Sequence, residues 1–166
     1  MDLITAIKTR RSLRAYKAQD IPKEDVEGII DAARFAPTAR AVEPLEFIAV
    51  TNKETLKKIS DLAENGRFIA QAAACVVVFS GDTKYYLEDG CAATENILLA
   101  ARARGIGSCW VAGDKKPYCL EIAKLLGVPV TYKLVSLISL GYPLSGDDFK
   151  IAQKKGLEEV LHWEKF

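Results

Sequence analysis

The sequence predicts an α/β or α+β domain whose sheet is covered by helices on both faces. Segments with helical apolar spacing separate most of the strand-length apolar runs. The run from Ala73 to Ser80, with Cys75, Val76, Val77, Val78 and Phe79, reads as a short buried strand. The chain has 166 residues, which at about 150 per domain makes 1–166 a single domain. That length buries roughly 70% of the unfolded surface, enough for a core.

Asp2 caps a short helix reaching Lys8, with Leu3, Ile4 and Ile7 at helical spacing. Arg10 to Tyr16 reads as an extended connection. Asp20-Ile21-Pro22-Lys23-Glu24 is a helix start, a capping acid followed by proline in the first turn. Val26, Ile29, Ile30 and Ala33 supply that helix's apolar stripe, and Pro37 ends it. A loop covers 36–44 and a strand 45–51. Asn52 caps a helix with Leu56, Ile59 and Leu62, closed by Asn65-Gly66.

After the buried strand, Thr83 to Arg104 forms the longest helix, apolar around much of its circumference, so it is central or at an interface. Gly105 is its C-cap. Ser108 to Ala112 is a strand, and Pro117 to Leu126 a helix capped by Gly127. Tyr132 to Leu140 is a strand ended by Gly141-Tyr142-Pro143. From Lys150 the tail carries Leu157, Val160, Leu161 and Trp163, too apolar for a free tail, so it packs on something, a second chain being one choice.

Lys+Arg is 23 and Asp+Glu 22, a net charge of +1, which argues against a nucleic-acid binder. Mean hydropathy is +0.04. The single histidine, His162, excludes a His-rich metal site and has no acid or nucleophile spaced for catalysis. Cys75, Cys91, Cys109 and Cys119 form no Cys-x-x-Cys pair. No apolar run approaches the ~20 residues of a membrane span. The opening MDLITAIKTRR does not read as a secretory leader. The chain reads as cytoplasmic with reduced thiols.

Four segments are candidates for chemistry. Arg10-Arg11-Ser12-Leu13-Arg14 puts three guanidiniums and a hydroxyl in five residues, donors that suit a phosphate. On spacing alone, a basic end that offsets a helix dipole fits it somewhat better. Ala36-Pro37-Thr38-Ala39-Arg40 is a helix-to-strand loop, a common place for ligand contacts or simply a solvated connection. Gly105 to Gly113 lets backbone approach a planar ligand, or is a C-cap followed by an ordinary strand. It is no dinucleotide fingerprint, because it follows a helix rather than opening one. Lys154-Lys155 is a solvated pair or a phosphate clamp.

Taken together and in order, these features resemble the FMN-dependent nitroreductase family over nearly the whole chain. The resemblance is carried by Arg10-Arg11-Ser12-Leu13-Arg14, by Ala36-Pro37-Thr38 followed by Pro44 and Phe47-Ile48-Ala49-Val50, and by Leu98-Leu99-Ala100-Ala101 before Gly105-Ile106-Gly107-Ser108-Cys109-Trp110. Leu140-Gly141-Tyr142-Pro143 and the ending Leu157 to Glu164 complete it.

The resemblance implies an α+β fold, a three-layer α/β/α sandwich with a mixed, mainly antiparallel central sheet. It implies a homodimer whose C-terminal tail packs on the partner, with two FMN sites at the interface. Its activity would be that of an FMN-dependent NAD(P)H oxidoreductase, taking a hydride from NADH or NADPH and delivering two electrons to a nitroaromatic, quinone or similar acceptor. The other reading is a flavin- or nucleotide-binding dimer without efficient turnover, a carrier or sensor. No nucleic acid or membrane partner is implied.

By match of motif, Arg10, Ser12 and Arg14 would hold FMN phosphate, ribityl and pyrimidine oxygens, with Arg11 nearby. Pro37, Thr38 and Ala39 would line the flavin from the partner. Backbone at Val111, Ala112 and Gly113 would face N5 and O4, Lys154 or Lys155 would complete the phosphate site, and Asn65 would meet the pyrimidine edge. Cys109 would lie close by, as strand packing. The flavin carries the chemistry, so no catalytic side chain and no metal is required. Where the family runs Asn-x-Gln-Pro-Trp, this chain has Ala41-Val42-Glu43-Pro44-Leu45, which loses an amide, gains a charge and shortens an apolar anchor.

Overall fold

The computed structural model describes residues 1–166. Helix α1 (Leu3–Thr9) begins as expected, with the Asp2 carboxylate accepting the Thr5 N–H at 3.0 Å and so satisfying one of the donors a helix start leaves free. Helix α2 (Lys23–Arg34) buries Val26, Ile29 and Ala33. Its start differs from the expectation. Pro22 is the N-cap residue and no side chain caps it. Asp20 lies two residues before that N-cap and stands 3.7 Å from Lys53 instead.

Strand β1 (Leu45–Val50) leads to α3 (Lys53–Leu62), whose first turn is capped by Asn52 accepting the Thr55 N–H at 3.0 Å. The helix ends before Asn65-Gly66, and a 3-10 segment, Glu64–Gln71, follows it. Strand β2 (Ala74–Gly81) precedes α4 (Tyr86–Ala103), which starts at Tyr86 rather than Thr83. Strand β3 (Gly107–Ala112), α5 (Cys119–Leu125) and β4 (Tyr132–Gly141) complete the core elements. Gly105 (φ 73) and Gly127 (φ 69) leave α4 and α5 in the left-handed region, where a side chain is disfavoured.

The sheet order is β1-β2-β4-β3 and every pair is antiparallel. One parallel bridge, Ser12 with Ser108, lays the arginine segment along the outer edge of β3. Strands β2 and β3 run the same way, with β4 inserted between them.

Adjacent residues of a strand point to opposite faces, and the two cores divide accordingly. Ile138 joins Val26, Ile29, Ile97 and Ile106 on the face covered by α2 and α4. Leu137 joins Leu56, Ile59, Ile69 and Ile122 on the face covered by α3, the 3-10 segment and α5. The result is a three-layer α/β/α arrangement of α+β class.

Leu157, Val160, Leu161 and Trp163 of the tail are exposed on their own chain. Leu3, Ile4 and Ile7 of α1 are exposed too, and beside them Leu99, Ala100 and Ala103 of α4 line an open apolar groove. No helix is long and apolar enough to cross a membrane.

Candidate active site at the β3 edge

Strand β3 is outermost, so every second residue turns its N–H and C=O away from the sheet. The Ser108 carbonyl accepts the Leu13 N–H at 2.9 Å, and the Ala112 carbonyl accepts the Tyr118 hydroxyl. Ser108, Trp110 and Ala112 therefore face outward, and the N–H groups of Trp110 and Ala112 point to the open edge. There a cleft of about 150 Å³ is lined by Arg14, Asn65, Phe68, Lys116, Tyr118 and the run from Cys109 to Ala112.

The strap from Arg10 to Tyr16 is pinned along this edge. The Tyr16 hydroxyl donates to the Leu13 carbonyl at 2.5 Å and lies 2.7 Å from the Ser139 hydroxyl. Burial pushes the Tyr16 phenol well above its usual range, so it stays protonated. The Arg14 guanidinium donates to the Ser12 carbonyl at 3.5 Å and stands 5.8 Å from the centre of the Phe68 ring, within reach of a cation–π contact. The Arg10 side chain is half-buried and pairs with Glu95 of α4 at 3.7 Å. Cys109 is buried between these groups. Burial pushes its thiol up, while Arg14, Ser12 and Arg10 partly oppose the shift.

Two of the expected site groups are engaged within the chain itself. The Arg11 guanidinium folds back to donate to the Arg10 carbonyl at 2.5 Å and the Lys8 carbonyl at 3.4 Å, so it closes the end of α1. The Gly113 N–H donates to the Val135 carbonyl at 3.0 Å and is spent within the fold. Gly113 matters by its shape instead, since a Cβ there would come within 2.8 Å of Val135 backbone. Ala112 is left as the outward donor, and the Val111 side chain belongs to the second core.

The structure brings Arg14, Asn65, Val111 and Ala112 together in one cleft, with Ser12 and Arg10 alongside. Within one chain it does not bring Pro37, Thr38 and Ala39 to them. That loop sits on the first turns of α4, where the Ala39 N–H donates to Asp89 at 3.0 Å and Thr38 accepts the Glu43 N–H at 3.3 Å. Lys154 and Lys155 stand exposed on the tail, outside the cleft lining.

Phe68, Lys116 and Tyr118 were not singled out from the sequence. Phe68 follows Asn65 across the kink at Gly66, and both line the cleft. Lys116 and Tyr118 follow the glycine that ends β3, where the chain must turn back across the edge. A larger depression of about 620 Å³ beside α2 is lined by Asp20, Lys23, Glu27 and Lys53. Those charges pair with one another, at 3.2 Å for Lys23–Glu27 and 3.7 Å for Lys53–Asp20.

Backbone donors, an amide side chain, flanking guanidiniums and an apolar floor suit a flat ligand with a hydrogen-bonding edge and an anionic end. The nitroreductase family model matches residues 7–84 and 63–142. A candidate NADH dehydrogenase/NAD(P)H nitroreductase of Archaeoglobus fulgidus is 38% identical over 172 aligned positions, 99% of each chain. A similarly named protein of Methanothermobacter thermautotrophicus is 35% identical, over 86% of this chain and 78% of its own. The solved structure of an FMN-dependent nitroreductase from Clostridium difficile R20291 superposes with a TM-score of 0.89 at 30% identity, covering 98% of this chain and 99% of that one. With the family model and a relative matched over nearly its whole length in agreement, this chain belongs to the nitroreductase family.

Proposed function

We propose that the protein is an FMN-dependent oxidoreductase that takes a hydride from NADH or NADPH and passes two electrons to an electron-poor small molecule, such as a nitroaromatic or quinone. Reductant and acceptor occupy one site in turn. The observation that carries this reading is the outward Ala112 N–H at the open edge of β3, beside Arg14 and Asn65.

The residues present fit FMN. Arg10, Ser12 and Arg14 supply donors for a phosphate, ribityl and pyrimidine end, in the charge-assisted manner guanidiniums favour. Phe68 and Trp110 supply apolar surface for a ring, and Ala112 supplies a backbone donor at its edge. Bound there, FMN supplies the two-electron chemistry at its N5, so the chain needs no acid–base pair of its own. The chain's part is to orient and to bias charge. Arg14 places positive charge by the pyrimidine end, and the Ala112 N–H holds a hydrogen bond where electron density builds up.

The cleft of about 150 Å³ is smaller than the ~300 Å³ at which ligand pockets begin. One chain thus provides one wall. A second copy supplies the other, with its Pro37, Thr38 and Ala39 over the ring, while the tails bring Lys154 or Lys155 toward the phosphate. The exposed Trp163, Leu157 and α1 side chains are the apolar surface such a homodimer covers; an obligate dimer commonly buries over ~2,000 Å².

The test is steady-state oxidation of NADH and of NADPH by FMN-loaded protein, with a quinone and a nitroaromatic as acceptors. Parallel double-reciprocal lines are expected from alternating occupation. A loaded protein that neither reductant bleaches under anaerobic conditions is a carrier, and the reading fails.

A further inference from the structure

Two consecutive side chains at the start of α5 reach back to two consecutive carbonyls at the end of β3. The Tyr118 hydroxyl donates to the Ala112 carbonyl, and the Cys119 thiol donates to the Gly113 carbonyl. The Lys116 N–H reaches the same Gly113 carbonyl at 3.0 Å. On the opposite side, the N–H groups of Gly113 and Asp114 both donate to the Val135 carbonyl, at 3.0 and 3.4 Å. The two peptide planes that follow Ala112 are therefore held at both ends, and through the Ala112 Cα they limit how far the preceding plane, which carries the Ala112 N–H, can turn.

An edge strand lacks a neighbour on one side, and its last residue is where it frays. Here the missing neighbour is replaced by two side chains. Tyr118 is buried among the residues of the second core, so its hydroxyl has one position. Burial pushes both the Tyr118 phenol and the Cys119 thiol up, which keeps each protonated as a donor at neutral pH. Neither group lies among the motifs that carry the family likeness.

We propose that Tyr118 and Cys119 are positioning residues that fix the direction of the outward Ala112 N–H and, through it, set the reduction potential of a flavin bound at the β3 edge. The inference rests on the FMN reading above. A donor held where charge develops favours the charged, reduced coenzyme because it needs no reorganisation. A donor free to wander loses part of that effect. Cys119 is the cleaner probe, since its exchange alters the second carbonyl's partner with little change in packing.

The experiment compares Tyr118→Phe, Cys119→Ala and Cys119→Ser as FMN-loaded proteins, reading the midpoint potential by equilibration with redox dyes. Tyr118→Phe and Cys119→Ala are expected to lower the potential while oxidised FMN still binds. Cys119→Ser keeps an O–H donor and is expected to hold the parent potential. Equal potentials in all the proteins would overturn the proposal. If Tyr118→Phe does not fold, the comparison of Cys119→Ala with Cys119→Ser decides. A parent protein that binds no FMN sinks both this proposal and the functional reading, and that outcome is visible before any variant is made.

Discussion

The Arg10 guanidinium stands 3.7 Å from the Glu95 carboxylate, tying the end of α1 to the middle of α4. The pair is partly exposed, so it adds little to stability, about 1 kcal/mol or less. Its consequence is for binding, because Glu95 holds the group that would grip a phosphate. Arg10→Ala is expected to weaken FMN binding by roughly 1.5–3 kcal/mol, the scale of a charged hydrogen bond. Glu95→Gln removes a competing anion and is expected to tighten binding slightly. Calorimetric titration of both variants separates the roles. Equal losses in the two would make Arg10 a structural residue.

Tyr16 holds the strap that carries Ser12 and Arg14, and its ring lies over Gly141. A Cβ at Gly141 would come within 2.5 Å of that ring. Gly141→Ala is expected to cost about 1–3 kcal/mol by overpacking. Tyr16→Phe leaves the Leu13 carbonyl without its partner and the Ser139 hydroxyl with only the Cys109 carbonyl at 3.5 Å, at a cost of about 1–3 kcal/mol. Both variants should lower the melting temperature and FMN affinity together. A variant with lowered stability and unchanged affinity would show that the strap does not depend on this contact.

Alkaline pH should unfold the protein through two buried groups. Burial pushes the Cys75 thiol from 9.0 up to about 12, and it raises the Tyr16 phenol as well. A raised pKa means that the folded state holds its proton more tightly. The stabilisation is full below the unfolded values and is lost as pH rises, from about 9 upward for Cys75 and from about 10 upward for Tyr16. Urea melts between pH 8 and 11 should show falling stability. Cys75→Ala should lie lower at neutral pH and fall less steeply from pH 9. An identical slope in the variant would exclude Cys75 as a contributor.

Ala41 has φ 53, flanked by Arg40 at 59 and with Glu43 at 52 nearby, so three side chains occupy a region that costs roughly 1–2 kcal/mol each. Asparagine tolerates that region better than alanine. Ala41→Asn or Ala41→Gly is expected to raise stability by up to about 1 kcal/mol, measured by denaturant titration. Destabilisation by both would mean that the Ala41 methyl makes a contact worth more than the strain.

Much of the fold is legible because its signals are local. Asp2 and Asn52 cap the helices they precede, and Val26, Ile29 and Ala33 repeat at the helical interval that buries them. Asp20 is the counter-example: proline at 22 moved the helix start beyond its reach. The 3-10 run from Glu64 to Gln71 turns every three residues and is kinked at Gly66, so it departs from the α-helical interval. The insertion of β4 between β2 and β3 depends on pairings between distant residues such as Val76 and Ile138, which no local window contains. The same limit explains the site. Arg14 and Ala112 stand out by motif, but the commitment of Arg11 to carbonyls in α1 and of Gly113 to Val135 is set by tertiary geometry. The role of Tyr118 is likewise set by tertiary geometry, which brings its hydroxyl onto the Ala112 carbonyl.

The central claim is that two copies of the chain enclose FMN between them, each giving one wall. Sedimentation velocity of the FMN-supplemented protein, followed at the flavin absorbance, tests it most directly. A coloured boundary at the mass of two chains, with one flavin per chain, is expected. A boundary at the mass of one chain, with the flavin left free in solution, would contradict it.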